Sequence, residues 1–366
     1  MKTISTIKSA VLGLLTACAF PISGALAQTD TTAKLTFSGY LEAYYSNDFG
    51  NPQNHTRPGF FYSFNRSNEV NLNIGFIKAN YTSSTVRANL ALMSGTYAQY
   101  NLSAEQSVLQ HVFEANAGFK IAKNHNLWLD AGIMPSHIGF ESAIGKDCWN
   151  LTRSILADNS PYYEAGAKIG YTSKNEKLYF AAMYLNGWQR IQKVVANQTP
   201  AFGTQLTYKP NAKVTLNYST YFGNEQPDSN KLWRNFHNFY AQMQLTDKFG
   251  LIAGFDIGAQ QKVKAESAKN VWYSPVVIAR YSVNNKFKIA ARAEYYKDEN
   301  GVIIATVTPN GFQTYGYSLN FDYLPADNIM LRIEGRGLSS KDKIFLDGTM
   351  PSNSNFFITS SLAISF

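Results

Sequence analysis

Apolar and polar positions alternate along most of the chain, and the alternation is clearest in its last segment, SNFFITSSLAISF. One side of this segment holds Phe356, Ile358, Ser360, Leu362, Ile364 and Phe366, and the other holds Phe357, Thr359, Ser361, Ala363 and Ser365. A period of two residues predicts a β-strand whose two faces meet different surroundings. As an open edge this strand would invite aggregation, so we expect it to pair with the first strand of a closed barrel.

The same alternation repeats from Leu35 onward and is interrupted by two kinds of connection. Short polar turns are predicted at 83–84, 123–126, 173–176, 209–212, 247–249, 284–285 and 325–328. Longer connections lie between them, at 47–66, 95–108, 136–161, 187–200, 223–235, 260–270, 298–310 and 338–353. The pattern predicts an all-β fold, a transmembrane antiparallel β-barrel of about 16 strands with short periplasmic turns and long extracellular loops. Fourteen or eighteen strands are the alternatives, because 261–270 and 301–308 fit either a strand or a loop.

Charged residues share one phase of the alternation, which predicts that this phase faces water inside the barrel. Near the end of the chain, Arg332, Glu334 and Arg336 alternate with Ile333 and Gly335. A charge that faces lipid at mid-depth costs about 2–4 kcal/mol, so the charged phase is expected in the lumen and the apolar phase outside. The same rule predicts four outward residues on the second strand: Val70, Leu72, Ile74 and Phe76.

The soluble alternative is a β-sandwich with one wet face. A sandwich domain usually has about 100 residues. This chain has 366 residues and shows no linker or composition break that would mark a second domain. We therefore expect one barrel domain over residues 28–366.

The first 27 residues predict a signal peptide. Lys2 and Lys8 precede a short apolar stretch at 10–19, and Ala25-Leu26-Ala27 fits a small-x-small cleavage site. The alternative is a lipoprotein signal, since residues 15–18 resemble a lipobox that would leave a lipidated Cys18 as the first residue. Either signal exports the chain. Cleavage at Ala27 leaves Cys148 as the single cysteine, so the sequence predicts no internal disulfide.

Composition and charge favour the barrel. Aromatic residues make up 14% of the chain and charged residues only 16%, which is typical of aromatic girdles around a polar lumen. The formal charge is +8, and loss of Lys2 and Lys8 with the signal leaves +6. No block of Lys and Arg carries this excess, so we expect a mildly cationic lumen and no nucleic-acid partner.

Twelve charged residues are candidates for the wall of the lumen. They are Glu42, Arg87, Glu114, Lys120, Asp130, Glu164, Arg280, Arg292, Glu294, Arg332, Glu334 and Arg336. Rings of side-chain charge set ion selectivity in pores. The alternative for each residue is a solvated ion pair that only stiffens the wall.

Four features together resemble the OmpL-like β-barrel porin family of Bacteroidota. They are the signal peptide, the first strand LTFSGYLEAYYSND, the segment IGFES with the polar loop after it, and the terminal Phe366. The resemblance covers essentially the whole mature chain. It implies an outer-membrane porin, a water-filled channel for passive diffusion of small hydrophilic solutes and ions, for which the cationic lumen predicts mild anion selectivity. General porins further suggest a homotrimer. The alternative function is a substrate-selective channel or a surface ligand-binding barrel.

The connection 136–161 is the third long loop in the predicted order, and in general porins that loop folds inward and narrows the channel. Here it carries both signs of charge, on Glu141, Lys146, Asp147, Arg153 and Asp158. Opposed charges at a constriction would create a transverse field that orients polar solutes. The alternative is an outward surface loop.

Catalytic and metal-binding patterns are absent from the sequence. The five histidines show no HExxH spacing, and no G-x-S-x-G motif occurs. His111 with Ser94 or Ser107 is a weak match to a barrel phospholipase. We therefore predict neither enzymatic activity nor a cofactor.

Overall fold

Sixteen antiparallel strands close into a barrel within residues 33–366, the part of the chain that the computed structural model describes. This confirms the predicted fold class and strand number. The predicted signal peptide and Cys18 lie outside the described residues. No helix within those residues is long and apolar enough to cross a membrane.

The strands follow one another around the barrel in chain order. Their bounds are β1 Lys34–Asp48, β2 Val70–Thr82, β3 Val86–Ser94, β4 Val112–Lys120, β5 Asn126–Pro135, β6 Tyr163–Thr172, β7 Leu178–Leu185, β8 Ala201–Asn211, β9 Val214–Asn224, β10 Trp233–Gln244, β11 Phe249–Gln261, β12 Lys269–Ser282, β13 Phe287–Asp298, β14 Phe312–Ala326, β15 Ile329–Ser340, β16 Phe345–Asp347, β17 Met350–Ser352 and β18 Ser354–Ser365. Strands β16 and β17 form a separate hairpin within the last long connection. Two short helices lie in other long connections, α1 at Thr96–Asn101 and α2 at Ile155–Asp158.

The barrel closes between β1 and β18, as the alternation of the last segment predicts. Leu41 lies opposite Ile364 and Tyr45 opposite Ser360. The closing ladder continues to the last residue, where Gly39 N donates to Phe366 O at 2.7 Å and Phe366 N donates to Gly39 O at 3.0 Å. A Cβ atom on residue 39 would overlap the Phe366 ring, so the glycine at this position leaves the space that the ring occupies.

The outer face of the barrel is apolar and the inner face is polar. On β14 the outward residues Tyr315, Tyr317 and Leu319 are 62%, 61% and 47% exposed, whereas the inward residues Asn320 and Asp322 are buried. Outward-facing aromatic and aliphatic side chains form the apolar band that a membrane barrel presents to lipid.

A β-bulge makes one prediction about β2 wrong. The register shifts between Glu42 and Ala43, which pair with Ile74 and Leu72 and leave Asn73 as the extra residue. A bulge reverses the phase of every residue beyond it. Ile74 and Phe76 are therefore buried inside the barrel instead of facing outward, and Ile77 is exposed outside.

Connection lengths differ between the two ends of the barrel. We name the end with the short turns, such as residues 283–286 between β12 and β13, the turn end, and the opposite end the loop end. The connection 136–162 between β5 and β6, here named the inner loop, starts at the loop end and enters the barrel. Its side chains Trp149, Leu156 and Tyr162 form an apolar cluster with residues of strands on opposite sides of the barrel, such as Ile74 on β2 and Ile252 on β11, so the loop packs into a core inside the barrel.

Candidate functional site in the barrel lumen

Backbone amides of the inner loop bond to side chains of the wall. Leu151 N donates to Asn320 Oδ1 at 3.0 Å, Thr152 N to Glu334 Oε2 at 2.5 Å and Ile155 N to Glu294 Oε2 at 2.6 Å. Since a buried amide without a partner is costly, these three acceptors fix the path of the loop across β13 to β15. Residues 150–160 are all buried.

Three wall arginines bind the carbonyls of the same loop. Arg292 Nη1 donates to Thr152 O at 2.6 Å, Arg336 Nη1 to Arg153 O at 2.7 Å and Arg332 Nη2 to Trp149 O at 2.9 Å. The planar guanidinium suits this task because it offers five donors in a fixed geometry.

Each of these arginines is also paired with a buried carboxylate. The N–O distances are 3.0 Å for Arg292 and Glu334, 2.6 Å for Arg336 and Glu294, and 2.7 Å for Arg332 and Asp322. The six side chains are at most 3% exposed. A buried ion pair of this kind adds little stability by itself, but loss of one partner leaves an uncompensated charge. We name these six residues the docking network.

Two further residues of the inner loop, His137 near its start and Lys146 at its deepest point, anchor the loop to the wall. His137 Nδ1 lies 2.7 Å from Glu164 Oε2, and its Nε2 lies 2.9 Å from Thr220 O. At the turn end, Lys146 Nζ donates to Asp327 O at 2.7 Å and to Ser365 Oγ at 2.8 Å. The loop thus follows one side of the barrel along nearly its full depth.

Strands β2 to β5 carry polar side chains that bond to one another. Lys78 on β2 bonds to Glu114 on β4 at 3.0 Å, and Arg87 on β3 bonds to Asp130 on β5 at 2.5 Å. Each pair passes over an intervening strand. The second pair passes over Gly118, where a Cβ atom would overlap the Asp130 carboxylate. Between the two pairs, a ladder of amides runs through Asn80, Asn89 and Asn116 with N–O distances of 2.7 and 2.9 Å.

Other carboxylates on the inner wall also accept hydrogen bonds. Besides those already named, Glu42 accepts from Asn73 Nδ2 at 3.1 Å and Asp256 from Asn238 Nδ2 at 2.5 Å. Asp298 accepts from the backbone amides of residues 302–304, and Asp48 accepts from Asn355 Nδ2 at 2.7 Å.

Four inward-facing cations, by contrast, have neither an ion pair nor a side-chain hydrogen bond among residues 33–366. They are Lys120, Lys168, Arg280 and Lys288, and all four are half-buried. They lie on β4, β6, β12 and β13 in the half of the barrel near the turn end. Since the carboxylates named above are buried, whereas these four cations are half-buried, the accessible surface of the lumen carries an excess of positive charge.

The sequence model of the family described as "Putative beta-barrel porin-2, OmpL-like" matches residues 34–366. The chain belongs to this porin family. It is therefore an outer-membrane channel, with its turn end in the periplasm and its loop end outside the cell. The bacterial phylum named in the sequence resemblance stays a prediction. No curated protein matches the chain.

Solved porin structures resemble the whole barrel. The anion-selective porin from Comamonas acidovorans has 9% identity and a TM-score of 0.59, with 91% of this chain and 100% of that one covered. The trimer form of OmpT from Vibrio cholerae has 9% identity and a TM-score of 0.59, with 92% and 100% covered. OmpF of Salmonella typhi in complex with daunomycin has 10% identity and a TM-score of 0.61, with 92% and 98% covered. At such identities the likeness shows the fold alone.

The predicted wall residues of the porin fall into three groups. Six are buried under or beside the inner loop: Glu42, Arg292, Glu294, Arg332, Glu334 and Arg336. Four form ion pairs or hydrogen-bonded pairs: Arg87, Glu114, Asp130 and Glu164. Lys120 and Arg280 face the accessible lumen and have neither an ion pair nor a side-chain hydrogen bond within residues 33–366. Their role in selectivity stays a prediction.

Two lumen cations of the porin were missed by the sequence reasoning: Lys78 and Lys168. The bulge at Asn73 hides Lys78, since it puts that residue in the phase opposite to the one predicted. Lys168 shares the phase of Glu164 on the same strand, so a strict count of alternation from this neighbour would have found it. Lys288 shares the inward phase that alternation predicts for Arg292, but it is not among the twelve wall candidates.

The five charged residues predicted for a constriction are not brought together as two opposed charges. Glu141, Arg153 and Asp158 are buried inside the loop, whereas Lys146 is half-buried and Asp147 exposed. Glu141 accepts from Ser154 N at 3.1 Å, and Arg153 Nε donates to Ser142 O at 2.7 Å. Glu141 and Arg153 thus brace the loop of the porin. The less buried positions of the loop include Phe140, Ser142 and Ile144, which carry no charge, and the exposed Asp147. Among residues 33–366, no cluster of ligating side chains could hold a metal ion.

The buried Asp158 gives the docked loop a pH dependence. Burial raises the pKa of the Asp158 carboxyl to about 7, although Arg336 and Arg153 act in the opposite direction. Between pH about 4 and about 7 the docked loop holds a proton that a solvated Asp158 has lost, so stability falls as pH rises through this range. We expect the midpoint of heat modifiability on gels to be lower at pH 8 than at pH 5, by roughly 2–4 °C per kcal/mol lost.

The substitution Asp158→Asn isolates this contribution, because the amide stays neutral at both pH values. The difference between the midpoints at pH 5 and pH 8 should shrink in the variant. An unchanged difference would show that Asp158 does not titrate in the docked loop.

Proposed function

We propose that this porin is a passive diffusion channel for small hydrophilic solutes and prefers anions. The observation that carries the preference is a set of four lumen cations for which the described part of the chain offers no ion pair or side-chain hydrogen bond: Lys120, Lys168, Arg280 and Lys288. Fixed charge on the wall of a narrow aqueous pore raises the local concentration of the opposite ion. The partnered carboxylates of the wall offer cations no comparable attraction.

Reversal potentials in a tenfold KCl gradient test the proposal. The wild-type protein should give a potential of the sign expected for chloride permeation. In the fourfold variant Lys120→Gln, Lys168→Gln, Arg280→Gln and Lys288→Gln, the potential should fall to about half or less, since wall charge sets selectivity. Lys262→Gln, at an exposed position in a loop-end connection, is the matched control and should keep the wild-type value. A fourfold variant with the wild-type potential would refute the assignment.

A selective channel or surface ligand-binding barrel is the second candidate, and a cavity at the external mouth favours it. The cavity has a volume of about 1100 Å³ and lies between the connections after β1, β13 and β15. Its lining combines apolar side chains such as Phe60 and Phe345 with neutral polar ones such as Asn54 and Thr306. Pockets of several hundred Å³ with this mixture are typical of ligand sites. Flux that saturates with one neutral solute would favour this candidate.

We further propose that the protein is not an enzyme and that it forms homotrimers. Four of the five histidine rings bond to a backbone carbonyl, to Glu164 or to the Tyr218 hydroxyl, an arrangement that supports structural roles. The trimer is supported by the likeness to OmpT, for which a trimer form is known. Outer-membrane lipid would surround the assembly.

A further inference from the structure

Two of the free lumen cations are neighbours on adjacent strands. Arg280 on β12 lies opposite Ala290 on β13, and Ser282 lies opposite Lys288. Arg280 and Lys288 are therefore diagonal neighbours, a relation that separates Cα atoms by roughly 7–8 Å and lets long side chains reach a common point. Both face the lumen near the periplasmic end.

The Arg280 guanidinium is held in place by the inner loop. Its Cζ lies 4.2 Å from the centroid of the Trp149 ring. The Trp149 ring fills space that exists because residue 250 is glycine, since a Cβ atom there would lie 2.6 Å from the ring. Arg332 Nη2 binds the Trp149 carbonyl. Stacking thus fixes one face of the guanidinium, and the donors along its edge bond to no acceptor in the part of the chain that the structure describes.

The nearby carboxylate does not neutralise the pair. Asp322 lies opposite Lys288 in the register. Its oxygens, however, are engaged by Arg332 at 2.7 and 3.3 Å and by Asn320 Nδ2 at 2.7 Å. Arg280, Lys288 and Arg332 with the single carboxylate of Asp322 leave a local excess of two positive charges.

We propose that Arg280 and Lys288 form a binding site for small oxyanions, such as phosphate or a carboxylate, on the path through the pore. A guanidinium edge offers two parallel N–H donors to two oxygens of one anion, and the Lys288 ammonium adds a point charge. Lys120 and Lys168 lie on other strands and have no stacking partner, so they attract anions without this geometry. The inference rests on the proposed anion pathway and names a position within it.

Inorganic phosphate added to a constant KCl background tests the site. Single-channel chloride current through the wild-type protein should fall as phosphate is added and then level off. Arg280→Gln should raise the half-effective phosphate concentration at least about tenfold, because it removes the charge-assisted pair of donors. Lys288→Gln should raise it less, and Arg280→Lys should restore part of the effect. Lys168→Gln is the matched control, since it removes an equal lumen charge without a stacked partner.

The outcomes separate this site from the proposed function. A wild-type current insensitive to phosphate would overturn the site even if KCl reversal potentials show anion preference. Equal effects of Lys168→Gln and Arg280→Gln would also overturn it, since they would mean that phosphate responds to net charge alone. An absence of anion preference in KCl would instead overturn the proposed function. If the site is as proposed, Arg280→Gln has a weaker response to phosphate. It still keeps a reversal potential of the anion-selective sign, which comes from Lys120 and Lys168.

Discussion

Replacement of residues 139–159 by a four-residue Gly/Ser linker should raise single-channel conductance about twofold or more. The segment runs inside the barrel along nearly its full depth and is held there by the docking network. Without the segment, the Arg292–Glu334 and Arg336–Glu294 pairs would face water. Water molecules would then take the place of the loop's hydrogen-bonding groups. Because sixteen strands close the barrel independently of this segment, the variant should keep its heat modifiability.

The matched control uses the same linker to replace residues 263–267, an exposed segment of the connection between β11 and β12. That variant should keep the wild-type conductance, because the segment lies outside the lumen. An unchanged conductance after replacement of 139–159 would contradict the role of the inner loop in narrowing the pore.

Arg292→Met should release the inner loop. The guanidinium bonds to Thr152 O at 2.6 Å and to Glu334 at 3.0 Å, and it lies 3.2 Å from Glu294 and 3.8 Å from Glu141. Its loss leaves several buried carboxylates with too few cations, and breaking a buried pair costs about 3–5 kcal/mol. The charges rehydrate most easily if the loop leaves the wall. We expect a lower heat-modifiability midpoint and frequent current fluctuations.

Two further variants separate the buried charge from a general effect of substitution on β13. Lys288→Gln changes an inward cation four residues away that has no ion pair among the described residues, so the free energy of unfolding should stay within about 0.5 kcal/mol of the wild-type value and the midpoint should hardly move. The double variant Arg292→Met with Glu334→Gln should recover part of the loss, because glutamine is neutral and can still accept from Thr152 N. If Arg292→Met behaves like Lys288→Gln, the docking network does not hold the loop.

The alternation of residues predicted the barrel, its closure and most faces of its strands. Such a prediction works because lipid outside and water inside impose a period of two on every strand, as on β14 and β18. It fails at Asn73, where one extra residue reverses the phase and carries Ile74, Phe76 and Lys78 inward. A bulge depends on hydrogen bonds to the neighbouring strand, so the sequence of one strand does not reveal it.

The sequence located the inward charges but not what covers them. Arg292 and Arg280 share the inward phase, yet Arg292 is buried beneath the inner loop and Arg280 reaches water. The difference follows from the path of residues 136–162, which is fixed by contacts with strands more than a hundred residues away. Periodicity within a strand carries no information on such contacts.

Single-channel recording of the detergent-purified wild-type protein in a planar bilayer with a KCl gradient tests the central claim most directly. The account predicts stable current steps whose size grows with KCl concentration, and a reversal potential of the sign expected for chloride. A protein that is folded by heat modifiability on a gel but gives no steps, or gives a potential of the cation-selective sign, would contradict it.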